Sequence, residues 1–222
     1  MTLLEWHGFG ITLVGMEFLR RSKDVPYRLG VLPGTFNPVT VAHLALAEAA
    51  LTIVDEVVFV LPRQFPHKTY SGAGFEQRAE LLEMALAGEP RFSAAACAGG
   101  LFVEIATECR AAYGADVRLS FLCGRDAADR IANWDYGHAG AFREMLKQFD
   151  LLVAARSGEY CPPRSLSSSF VRLPLNGAFD HVSASEVRAR ISSGEAWEHL
   201  VPAAVRRRVG EIYASGKNLP AR

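Results

Sequence analysis

The sequence predicts an α/β fold: an open, mostly parallel sheet with helices on both faces and a C-terminal helical segment. Three observations point there. Short apolar runs alternate with amphipathic helical segments, the pattern of strand–helix–strand units. The run Glu56–Leu61 is apolar after its first residue, as a strand buried on both faces must be. The 222 residues are 50% hydrophobic, with 24 basic and 24 acidic side chains, which suits one domain with a real core and no charge surplus.

Each element follows from a local pattern. Arg28–Leu32 reads as a first strand, stopped by Pro33-Gly34. Thr40–Leu51 is apolar nearly all round and is expected to be a buried helix. Phe75–Leu86 places Phe75, Ala79, Leu82 and Leu86 on one helical face, and Phe102–Tyr113 repeats the pattern with Phe102, Ile105, Cys109 and Tyr113. Val117–Cys123 and Leu151–Ala155 are further strands. The segment 157–176, rich in Ser, Pro and Arg, reads as a surface loop with a short strand at Phe170–Leu173. Helices are expected at 185–193 and 202–213, the latter with Pro202 in its first turn. Residues 1–27 stand apart as an N-terminal extension, either an extra helix packed on the domain or a stretch upstream of a true start nearer Met16.

Composition narrows the functional classes. A formal charge of zero argues against a nucleic-acid binder. No apolar run is long enough for a membrane span. Phe9–Gly15 lies between Glu5 and Glu17 without a basic leader or a cleavage site, unlike a secretory signal. Cys97, Cys109, Cys123 and Cys161 form no Cys-x-x-Cys pair, so free thiols in a reducing, cytoplasmic setting are expected. There is no Gly-x-x-x-x-Gly-Lys loop, no Gly-x-Ser-x-Gly elbow and no His-Glu-x-x-His helix.

In an open parallel sheet, ligands bind beyond the carboxyl ends of the strands where strand order reverses. That directs attention to 34–43, 62–74, 124–134 and 183–188. In the first loop, Gly34 permits close backbone approach, and Asn37 or Thr40 can cap the following helix. The helix N-terminus suits a phosphate. Thr40 and His43 are three apart, so a hydroxyl and an imidazole share one face of the first turn. In the second loop, Lys68 offers a mobile point charge beside His67, while Arg78 is as readily a structural tie as an anion ligand. In the third, Gly124 ends a strand, Asp126 can accept hydrogen bonds, and Trp134 offers a flat face. In the fourth, Ser183 or Ser185 caps a helix, and Arg188 lies one turn in. Arg206-Arg207-Arg208 is most simply a solvated face.

These four elements, in this order, resemble those of the nucleotidyltransferase superfamily with a Gly-x-Phe-[Asp/Asn]-Pro-x-[His/Thr]-x-x-His loop, here Gly34 to His43. Within it they are most similar to the nicotinate and nicotinamide mononucleotide adenylyltransferases, through Pro66-His67-Lys68, Gly124-Arg125-Asp126 with Trp134, and Ser183-Ala184-Ser185-Glu186-Val187-Arg188. The resemblance covers about 28–215 and makes 28–222 a Rossmann-like nucleotidyltransferase domain. It implies transfer of AMP from ATP to the 5′-phosphate of a pyridine mononucleotide, with Mg²⁺ bridging the triphosphate. It implies that Thr40, His43, Lys68 and Arg188 hold that triphosphate. Gly34, Thr35, Phe36, Asn37, Gly124, Asp126, Ser183 and Ser185 would line the ATP site, and Trp134 and His67 the mononucleotide site. ATP and a pyridine mononucleotide are the expected partners, with no nucleic acid and no membrane; a homo-oligomer is left open. The chain departs from the pattern at Thr40, Ala42 and Ala184, and at Gly99-Gly100-Leu101-Phe102, where bacterial nicotinate-specific members carry Ser-Tyr-Thr. These departures leave two alternatives: a relative with another acceptor, such as phosphopantetheine, and a non-catalytic nucleotide-binding module.

Overall fold

A computed structural model describes residues 15–64, 70, 72–132, 140–154, 164–175 and 179–214. Seven strands form one sheet: β1 (Glu17–Arg20), β2 (Arg28–Pro33), β3 (Glu56–Pro62), β4 (Phe92–Cys97), β5 (Arg118–Gly124), β6 (Asp150–Ala154) and β7 (Phe170–Leu173). Their spatial order is β1-β4-β3-β2-β5-β6-β7. Every neighbouring pair is parallel except β1 with β4, which is antiparallel. The helices are α1 (Val41–Ala50), α2 (Phe75–Leu86), α3 (Phe102–Tyr113), α4 (Arg125–Ala132), α5 (Ala141–Met145), α6 (Ala184–Ser193) and α7 (Arg206–Ala214).

The period of two along β3 sorts the core into two layers. Val57, Phe59 and Leu61 face one cluster, where α1, α2, α6 and α7 contribute Ala47, Leu82, Val187 and Val209. Val58 and Val60 face the other, with Ile105 and Cys109 of α3, Ala128 of α4 and Phe142 of α5. All seven residues of β3 are buried, as its apolar run requires. Strand order reverses between β2 and β5, because the chain leaves β2 toward β3 on one side and later returns with β5 on the other. The crevice at that reversal positions the site.

The structure departs from expectation at several elements. Residues 17–20, inside the expected extension, form a strand rather than a helix, and they cover the edge of β4. Strand β4 itself, Phe-Ser-Ala-Ala-Ala-Cys, has too much alanine to announce a strand. Helix α1 is not buried all round: only Ala42, Ala47 and Ala50 are buried, because its first turns line the crevice. Cys97, Cys109 and Cys123 are buried free thiols, as expected; Cys161 lies outside the described residues. Among the described residues no helix is long and apolar enough to cross a membrane.

Candidate active site

The first loop joins β2 to α1 at the reversal. Gly34 extends the ladder by donating its N–H to the Val60 carbonyl at 3.0 Å. A Cβ there would meet the Phe36 ring at 2.9 Å. Glycine is therefore required by the packing of Phe36, and it is Phe36 that takes the left-handed backbone, with φ 44°. The Phe36 ring is buried, 5.7 Å from the centre of Phe59 and edge-on to His43 at 5.2 Å.

Thr40 is the N-cap of α1, and His43 stands at its third helical position. The Thr40 N–H donates to His43 Nδ1 at 3.0 Å, and the Thr40 hydroxyl lies 2.8 Å from the same nitrogen. A backbone N–H can only donate, so Nδ1 is an acceptor and the neutral ring carries its proton on Nε2. Thr40 is fully buried. The expected placement of both side chains on one anion is corrected here: Thr40 faces the imidazole, and the imidazole is the group it orients.

The fourth loop behaves as expected. Ser183 is the N-cap of α6, its Oγ accepting from the Glu186 N–H at 3.1 Å. Arg188 ties this helix to the first loop: its Nη1 donates to the carbonyls of Asn37 and Ala184, and its Nη2 to Ser185 Oγ at 3.2 Å. Two helix N-termini, of α1 and α6, are thereby joined through Asn37.

Arg78 is buried and donates Nη1 to the Thr35 carbonyl at 2.9 Å and Nε to the Ala73 carbonyl at 3.2 Å. It lies 4.4 Å from the centre of the Tyr70 ring. Burial depresses its pKa. The structure shows it tying the second loop to the first. The expected third loop is in fact a helix: α4 starts directly after Gly124, with Asp126 at its second position. His67, Lys68 and Trp134 lie outside the described residues. On the helix face expected to be solvated, Arg206 and Arg207 are exposed, while Arg208 is part-buried and grips Glu80 of α2 through Nε and Nη2 at 2.9–3.0 Å.

Beside α1 an open cleft is lined by Ala42, Leu46, Gly124, Ala154, Leu175, Phe179 and Asp180. Among the described residues a Cβ on Gly124 would meet no atom within 4 Å, so they do not demand glycine there. Sequence reasoning missed Phe179 and Asp180, which sit in a segment without periodicity. It also missed Tyr213 of α7, whose hydroxyl donates to Asn37 Oδ1 at 2.5 Å across 176 residues.

The model of the cytidylyltransferase-like family matches residues 31–190. A probable nicotinate-nucleotide adenylyltransferase of Geotalea daltonii is 31% identical over 216 residues, covering 86% of this chain and 100% of that protein. One from Citrifermentans bemidjiense is 30% identical, covering 83% and 96%. The Plasmodium falciparum nicotinic acid mononucleotide adenylyltransferase complexed with NaAD superposes with a TM-score of 0.63 at 14% identity, over 87% of this chain and 99% of that one, a likeness of fold. The family match begins within β2 and ends within α6, so it spans both helix N-termini that Asn37 and Arg188 connect; with relatives aligned over almost their whole length, the chain belongs to the cytidylyltransferase-like family and, within it, to the nicotinate-nucleotide adenylyltransferases.

Proposed function

We propose that the chain transfers AMP from ATP to the 5′-phosphate of a pyridine mononucleotide, giving the dinucleotide and pyrophosphate. The observation that carries this is the His43 ring, fixed on the first turn of α1 with its neutral-form proton on Nε2. Curated relatives named for this activity support it.

The acceptor's phosphate monoester is ionised near neutral pH, so it attacks the α-phosphorus in line without a strong base. Charge stabilisation and alignment do the rest. The His43 Nε2–H donates to a phosphate oxygen. Arg188 still has its Nε and one Nη2 hydrogen to offer an anion among the described residues. Thr40 acts through His43, and the α1 and α6 N-termini contribute their positive ends. Magnesium arrives with the substrate as Mg·ATP. Among the described residues no three His, Cys, Asp or Glu side chains gather into a metal site. The cleft at Gly124 takes the adenine, with Phe179 and Asp180 in its wall. Lys68 as a triphosphate ligand, Asp126 toward the ribose or the adenine of ATP, and His67 and Trp134 at the mononucleotide remain proposals from the sequence. So do residues 28–222 as the transferase unit and a cytoplasmic location.

Pyrophosphate release from Mg·ATP is measured with nicotinate mononucleotide, nicotinamide mononucleotide and phosphopantetheine in turn. Turnover with either pyridine mononucleotide is expected. Turnover with phosphopantetheine alone moves the chain to another acceptor, and none with any acceptor leaves a nucleotide-binding module.

A further inference from the structure

Asn37 sits at a junction of four segments. It is 3% exposed. Its Oδ1 accepts from the Tyr213 hydroxyl at 2.5 Å and from the Ala73 N–H at 3.3 Å, and its carbonyl accepts from Arg188. Two donors converging on one amide atom identify it as the oxygen. Gly72, with φ +136°, lies so close that a Cβ on it would stand 2.2 Å from Asn37 Nδ2. Three residues later comes Thr40, the cap that orients His43. Helix α7, at the far end of the described chain, thus reaches the loop that sets the imidazole.

We propose that Tyr213 is a positioning residue: its hydroxyl holds the Asn37 side chain and so couples the docking of α7 to the geometry of the Thr40–His43 turn. This rests on the adenylyl-transfer reading for its kinetic consequence, though not for its structural one. Burial pushes the Tyr213 phenol above its ordinary range, so it stays a neutral donor at working pH. Docking of α7 does not depend on that hydroxyl. Val209 is fully buried, and Arg208 grips Glu80 independently. Removing one oxygen therefore changes the junction and leaves the helix in place. Small displacements of aligned groups carry large rate costs, up to about a hundredfold for about 1 Å. A partial loosening is expected to cost about tenfold in kcat.

The test compares Tyr213→Phe, Asn37→Ala and the double variant in pyrophosphate release, with thermal melts and the imidazole NMR signals of His43. Tyr213→Phe is expected to lower kcat about tenfold per folded molecule while both KM values stay within about twofold, the mark of an interaction that matters in the transition state. The double variant should be no slower than Asn37→Ala, because both substitutions break one contact. The His43 ring signals should move in Tyr213→Phe. Unchanged kcat per folded molecule, whatever the melt does, overturns the proposal, as do additive losses in the double variant. Should the wild-type chain turn over no acceptor, the transfer reading fails, and the NMR arm alone decides: moved His43 signals uphold the coupling and unmoved signals refute it.

Discussion

Arg78→Met separates a tie between loops from a ligand for the triphosphate. Methionine keeps most of the volume and removes the charge and the donors. Arg78 is 3% exposed and bonds the Thr35 and Ala73 carbonyls. The Ala73 carbonyl keeps a second donor, the Tyr70 hydroxyl at 2.7 Å. The part-buried Thr35 carbonyl loses its guanidinium, and an acceptor left short there costs up to about 1–3 kcal/mol. The lost contact with Tyr70 adds about 0.5–1 kcal/mol. Against these stands relief from burying a charge, a cost visible in the depressed pKa of Arg78. The net expectation is about 2–3 kcal/mol of destabilisation, which for a chain of this size lowers Tm by about 4–12 °C. Calorimetry reads the melt, and initial rates give KM for Mg·ATP, expected within about twofold of wild type. A melt within about 1 °C of wild type, with KM for Mg·ATP raised about tenfold or more, would refute the reasoning, because it would put the guanidinium on the substrate rather than on the loops.

Three further outcomes follow from named groups. His43→Ala should lower kcat by about 10²–10³, the usual cost of one preorganised donor, and should also lower the melt, because the buried Thr40 N–H loses its acceptor; wild-type turnover would remove His43 from the chemistry. Gly124→Ala places its methyl where no atom of the described residues lies within 4 Å, so Tm should hold while KM for Mg·ATP rises; calorimetry and kinetics together check this. Glu56 is buried at the amino end of β3, with Tyr113 donating to its Oε1 at 2.6 Å, and burial raises its pKa. Its protonated form is the one the fold favours, so its contribution is full below the ordinary carboxylate range and is lost as pH rises through the raised value. Glu56→Gln should therefore gain Tm over wild type near pH 8 and lose that advantage near about pH 4; melts across that range test it, and a constant difference counts against it.

How much the sequence disclosed depended on whether a residue's partner was near in the chain. The bounds of α2, α3 and β7 were legible because an apolar period within one segment is local information. Ser183 and Thr40 were legible as caps for the same reason. Strand β4 was not, because three alanines carry no strand preference and its assignment comes from its neighbours β3 and β1. A further constraint on Gly34 was not legible, because it comes from the Phe36 ring folded back over it. Arg78 was legible as a tie or an anion ligand, and the structure shows the tie. Tyr213 was illegible as a site support: it acts on an amide oxygen of the first loop from far along the sequence, and no spacing rule encodes such a pair.

Overall neutrality and affinity for a polyphosphate are compatible because of where the charges are cancelled. Several described arginines meet carboxylates: Arg28 with Asp55, Arg63 with Glu17, Arg91 with Glu89, Arg190 with Glu186, Arg208 with Glu80. Exposed pairs of this kind add little stability, but they remove long-range positive field. At the crevice the pattern changes. Arg188 is held by two carbonyls and a hydroxyl, neutral dipoles that fix the guanidinium without spending its charge. Helix α1 carries no acidic residue in its first turn, so its positive end is likewise left uncancelled. An anion entering there meets a field of short range, confined within about a Debye length of 8–10 Å at ordinary salt. That range matches one nucleotide triphosphate and is far shorter than a nucleic-acid track. The neutral composition thus serves selectivity: with part of the remote charge paired off, the guanidinium that the Asn37 carbonyl holds keeps its charge for an anion.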